Sequence, residues 1–85
     1  MTKAFIEIYT THDCSFCKQA KNLLNKYSLE FIEHNVDSQV NRELMKKRAK
    51  GNYSVPQIFI NKKLIGGFKE LAILHKTGKL KSLLS

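Results

Sequence analysis

The chain has 85 residues, with 15 Lys and Arg against 7 Asp and Glu, giving a formal net charge of +8. That length supports one small domain spanning residues 1–85 and excludes a second core, while one proline, four glycines and no repeat exclude a disordered or repetitive chain. No apolar run approaches the roughly twenty residues of a membrane helix, and the N-terminal apolar patch carries Glu7 with no cleavage site after it, so a cytoplasmic protein without membrane contact is expected.

"KAFIEIY", residues 3–9, is rich in Ile and aromatics and predicts a buried strand. "TTHD" breaks it. From Ser15 the apolar positions Phe16, Ala20, Leu23, Leu24 and Tyr27 recur at helical spacing, predicting a helix that ends near Ser28. "LEFIEHNV", 29–36, alternates as a second strand. A second helix is capped by Asp37 or Ser38, turns Val40, Leu44, Met45 and Ala49 inward, and stops at Gly51-Asn52. "VPQIFI" (55–60) and "LIGG" (64–67) flank "NKK" and predict a hairpin. A third helix follows, with Phe68, Leu71, Ala72 and His75 at spacings of three and four and Gly78 as its C′ residue. "KLKSLL" predicts a closing helical turn. The order β-α-β-α-β-β-α is an α/β fold. Strands joined by helices are expected to run parallel, with the last hairpin as an antiparallel edge.

The two cysteines, Cys14 and Cys17, lie in "CSFC". A bridge across two intervening residues closes almost no loop and stabilises little, so a structural staple is a weak reading. A zinc site needs two more ligands, and His12, His34 and His75 lack the paired spacing of a finger. A cysteine protease needs a positioned imidazole base that nothing here supplies. A redox pair fits. Cys14 stands at a helix start, where free N–H groups and the positive end of the dipole stabilise a thiolate, and Lys18 lies one turn on. Cys17 is one turn deeper and is expected to be buried and protonated. Cys14 therefore attacks and Cys17 resolves the mixed disulfide.

Val55-Pro56 holds the only proline, at a strand start. Beside a CxxC motif in a βαβ context, a cis bond is the favoured reading, leaving the Val55 backbone free to pair with a bound peptide. Gly66-Gly67 precedes a helix, so the N–H groups of Phe68 and Lys69 form a cradle for a carboxylate. The lysines are spread over every segment. They read as a solvated surface rather than a nucleic-acid footprint, and their field would attract anionic small molecules and acidic partners.

"IEIYT", "CSFC", "YSVPQIFINKKLIGGFKEL" and the closing "GKLKSLL" together resemble the glutaredoxins, the glutathione-dependent branch of the thioredoxin-like fold. "SVPQIFI" followed by "IGG" is the specific part, and the resemblance covers nearly the whole chain. It implies a central four-stranded mixed sheet flanked by helices. It also implies a monomeric glutathione-disulfide oxidoreductase that reduces protein–glutathione mixed disulfides and protein disulfides, with glutathione as reductant. Cys14 and Cys17 would be catalytic. Phe16, Arg48, Val55, Pro56, Gly67, Phe68 and Lys69 would bind glutathione, Arg48 through the glycine carboxylate.

The sequence departs from that pattern at Ser15 and Phe16, where many members have Pro and Tyr. It departs again at Thr11, where a basic residue is common, and at Lys69, where an acidic or hydroxyl side chain usually meets the γ-glutamyl group. Glu70 is the candidate to compensate at the last. Related Ser-containing motifs hold a [2Fe-2S] cluster with glutathione, so a cluster carrier is one alternative. A thioredoxin-like reductase recharged by a flavoenzyme is the other.

Overall fold

The computed structural model describes residues 4–84. The elements are β1 (Ile6–Thr10), α1 (Ser15–Lys26), β2 (Ile32–Asn35), α2 (Gln39–Arg48), β3 (Gln57–Ile60), β4 (Lys63–Gly66), α3 (Phe68–Lys76) and α4 (Lys79–Leu84). The expected order holds, and the closing turn is a helix of its own. The strands are shorter than predicted: Lys3 lies outside the described residues, Leu29 and Phe31 precede β2, and Val55-Pro56 stands outside the β3 ladder. Among the described residues no helix is long and apolar enough to cross a membrane.

The sheet order is β2-β1-β3-β4. β1 pairs parallel with β2 but antiparallel with β3, and β4 continues antiparallel. The expectation that helix-linked strands run parallel therefore fails at β3. Both ends of the α2 connection lie at the cysteine end of the sheet: Asp37 bonds His12, and Val55 abuts Cys14. A strand entering where β2 left must run the other way. Asn61 and Lys62 turn the β3–β4 hairpin with φ of 51° and 68°, the positive values a tight two-residue hairpin turn requires.

Alternation along the central strands builds two cores. Ile6, Ile8, Ile58 and Ile60 face Ala20 and Leu24 of α1, Leu71 of α3 and Leu80 of α4. Tyr9 and Phe59 face the other way, against Val36, Met45 and Ala49. β1 is thus buried on both faces. The edge strands β2 and β4 are largely exposed and carry charged residues such as Glu33 and Lys63.

The inward stripe expected for α2 is half wrong. Met45 and Ala49 are buried, but Val40 is 70% and Leu44 47% exposed. The helix meets the sheet along a narrow line through Met45 and Ala49, which leaves the Val40–Leu44 ridge, one turn apart, on the solvent side. Tyr27, expected inward on α1, is also largely exposed.

Candidate active site

Cys14 is the N-cap of α1, with an extended backbone (φ −137°, ψ 108°). Its Sγ accepts the Cys17 N–H at 3.1 Å, the role a Ser or Asp oxygen usually plays at such a cap. As a thiol it donates weakly to the Val55 carbonyl, 3.8 Å away. Both cysteines are free thiols. Cys14 is half-buried, whereas Cys17 is 1% exposed. Burial, and then the hydrogen bond with Cys14, push the Cys17 thiol up to about 12. The expected asymmetry of burial is present: one sulfur is half-buried at the helix start, and the other is enclosed a turn below it.

The loop carrying Cys14 is tied down from β1 onward. Thr10, fully buried, donates to Glu33 at 2.5 Å. Thr11 donates to Asp37 at 2.7 Å, and His12 Nδ1 lies 2.9 Å from the same carboxylate. These contacts hold the Asp37 carboxyl below its usual range. Of the two caps expected for α2, Asp37 or Ser38, it is Ser38 that serves, and Asp37 instead clamps the loop carrying Cys14, a pairing across 25 residues that no local pattern announces.

Val55-Pro56 is cis, as the sequence suggested. Beneath it, Gln57 is 3% exposed and donates to the Ser54 carbonyl at 2.9 Å, while Asn52 Oδ1 accepts the Ser54 N–H at 2.9 Å. The sequence reading missed this support. Its one local signal is Asn two residues before Ser, an Asx-turn spacing.

Phe16, Val55, Pro56, Gly67, Phe68 and Lys69 line one groove of about 480 Å³, within the range of small-ligand sites. Cys14 sits beside it through its contact with Val55. Phe16, 57% exposed, stacks on Phe68 with ring centroids 6.3 Å apart, so the two helix starts share an aromatic lip. Glu70 bonds the Gly67 N–H at 2.7 Å. It serves the chain's own helix start, the returning half of a capping box, where the sequence had suggested contact with a ligand amine. Gly66, with φ +119°, gives it room: a Cβ there would lie 2.9 Å from the Glu70 side chain.

Arg48 does not join the groove-lining residues. Its two terminal nitrogens bind Glu7 at 2.8 and 3.0 Å and Tyr9 at 2.8 Å, and its guanidinium lies 4.1 Å over Phe59. It closes the second core. His34 lies 3.1 Å from Glu7, and His75 lies 3.0 Å from the Tyr27 hydroxyl. Among the described residues no three His, Cys, Asp or Glu side chains gather as a metal site.

A thioredoxin-like sheet with a half-buried cysteine at a helix start and a fully buried one a turn below defines the class: a thiol–disulfide oxidoreductase. The glutaredoxin profile matches residues 6–65. Glutaredoxin 3 of Escherichia coli K12 is 43% identical over 82 residues, covering 95% of this chain and 98% of that protein. A probable glutaredoxin of Synechocystis sp. is 44% identical over 84 residues, covering 98% and 77%. The solution structure of a dithiolic glutaredoxin from Trypanosoma brucei brucei superposes with a TM-score of 0.83 at 33% identity, covering 94% of this chain and 86% of that one. The chain belongs to the glutaredoxin family.

Proposed function

We propose that this protein reduces protein–glutathione mixed disulfides, and protein disulfides, with glutathione as the reductant. The observation that carries the reading is the placement of Cys14: its sulfur accepts a helix-start N–H at 3.1 Å and lies beside a peptide-sized groove. The Cys14 thiolate attacks the glutathione sulfur of the mixed disulfide. That S–S bond breaks, a Cys14–glutathione bond forms, and the protein thiolate leaves and takes a proton. A second glutathione thiolate then attacks the bound glutathione sulfur, releasing glutathione disulfide and the Cys14 thiolate. In the dithiol route Cys17, once it sheds the proton that burial holds on it, attacks the Cys14 sulfur of the mixed disulfide; the bound thiol leaves as its thiolate, and two glutathione molecules then reduce the Cys14–Cys17 disulfide and depart as glutathione disulfide.

The groove supports the glutathione part of this reading. The Val55 backbone offers strand-like pairing, and the start of α3 offers the N–H groups of Phe68 and Lys69 to a carboxylate, that of Gly67 being taken by Glu70. Phe16 and Phe68 stack along one side of that groove. Arg48, held by Glu7, is left out of the ligand set. The protein is taken to act as a monomer in the cytoplasm, where thiols stay reduced.

The deciding experiment is glutathione turnover on a small mixed disulfide, coupled to glutathione reductase. Cys14→Ser is expected to fall to background. Cys17→Ser should keep deglutathionylation while losing reduction of protein disulfides. Activity in Cys14→Ser would reverse the roles. Recharging by thioredoxin reductase alone would move the protein to the flavoenzyme-dependent alternative, and a visible chromophore after anaerobic purification would favour the cluster carrier.

A further inference from the structure

The exposed face of α2 has no role in the chemistry above, yet it is not an ordinary solvated face. Val40, 70% exposed, and Leu44, 47% exposed, stand one turn apart and line a shallow depression with Lys46, Lys47 and Lys50. Glu43 is the one acidic side chain in that lining. Lys46 donates to the Tyr53 hydroxyl and lies 4.4 Å above its ring. Tyr53, itself 57% exposed, sits between Asn52 and Ser54, and both of those line the groove beside Cys14. The α2 face and the reactive groove are therefore joined through one short segment.

We infer that this face docks an acidic segment bearing spaced apolar side chains, contributed by the protein substrate whose disulfide reaches Cys14. The inference rests on the thiol-exchange reading. Apolar side chains displayed among lysines match a partner that offers Leu-like anchors between carboxylates, the anchors giving affinity and the charges giving register and on-rate. A second copy of the chain fits poorly, because a two-fold contact through this face would set Lys46, Lys47 and Lys50 against the same lysines. A phosphate backbone would leave Val40 and Leu44 unused. An extended flank of about ten residues spans about 33 Å, more than twice the length of a ten-residue helix, so one substrate segment can cover both sites.

The test compares kcat/KM on three substrates: a small mixed disulfide, a glutathionylated peptide with a neutral flank, and one with an Asp/Leu-rich flank. Lys47→Glu with Lys50→Glu is expected to lower kcat/KM on the acidic peptide by about tenfold, and Val40→Ser with Leu44→Ser by about fivefold. Beyond any loss that the far-end charge reversal below also causes, both pairs should leave the other two substrates unchanged. Lys62→Glu with Lys63→Glu makes the same change of charge at the far end of the sheet and should do nothing selective. Equal losses on all three substrates, an equal loss from the far-end pair, or no preference for the acidic peptide would overturn the docking surface. So would sedimentation showing a dimer that Leu44→Ser dissociates, or anionic vesicles bound through Val40 and Leu44. If wild type failed on the small substrate, the glutathione reading would fall. Binding of the labelled acidic peptide, lost in the α2 variants, would still support the surface, and its absence would overturn it.

Discussion

The two sulfurs differ in what surrounds them, and that difference is measurable without turnover. Cys17 is almost wholly buried and pushed up to about 12, so iodoacetamide near pH 8 should modify Cys14 alone. Peptide mass spectrometry should find Cys17 unmodified until denaturant is added, and early labelling of Cys17 would contradict its protonated burial. Gly66 makes a second single-residue case. Its φ of +119° is one that L side chains rarely adopt, and a Cβ would meet Glu70 at 2.9 Å. Gly66→Ala should cost about 1–3 kcal/mol, a fall in Tm of roughly 5–15 °C by thermal denaturation. The unequal burial of the two cysteines was legible in the sequence because a helix start and a one-turn offset are local facts. Glu70 was only half legible: its position pointed to the cradle, but whether it served a ligand or the chain's own Gly67 N–H depends on how β4 enters α3.

Among the elements, β1 and α2 are tied by the Glu7–Arg48 ion pair. Glu7 is buried, accepts two bonds from Arg48, and is held below the usual carboxylate range chiefly by that guanidinium. Because its native ionisation is depressed, its contribution is fully present above the unfolded value of about 4.3 and is lost as pH falls through the native one. Glu7→Gln should therefore lose about 2–3 kcal/mol at pH 7 and show a flatter loss of stability in acid than wild type, as read by urea denaturation at several pH values. None of this pairing was legible. Glu7 sits in a strand that otherwise reads as apolar, and its partner is 41 residues away. The direction of β3 escaped for a similar reason. Local patterns mark a helix between two strands, but they do not say at which end of the sheet that connection returns. The exposure of Val40 and Leu44 likewise depends on how narrowly α2 meets Met45 and its neighbours.

For the molecule as a whole, charge and sheet architecture are the properties that no single residue carries. A formal charge of +8 on a domain this small should draw an anionic thiol such as glutathione toward the groove. Turnover at limiting glutathione should therefore fall several-fold between about 20 mM and 0.5 M salt, while kcat at saturation changes little. A flat salt profile would show that the lysines act only as a solvated coat. That the fold is α/β was legible from the strand–helix alternation, because the hydrophobic period changes from element to element along the sequence. The borders of that sheet have a further effect. Short outer strands bearing Glu33 on one side and Lys63 on the other, with a bulge where β3 meets β4, offer poor templates for a neighbouring molecule's backbone. Concentrated solutions should stay dispersed rather than seed fibrils, and covalent joining of one molecule to another should run through the half-buried sulfur of Cys14.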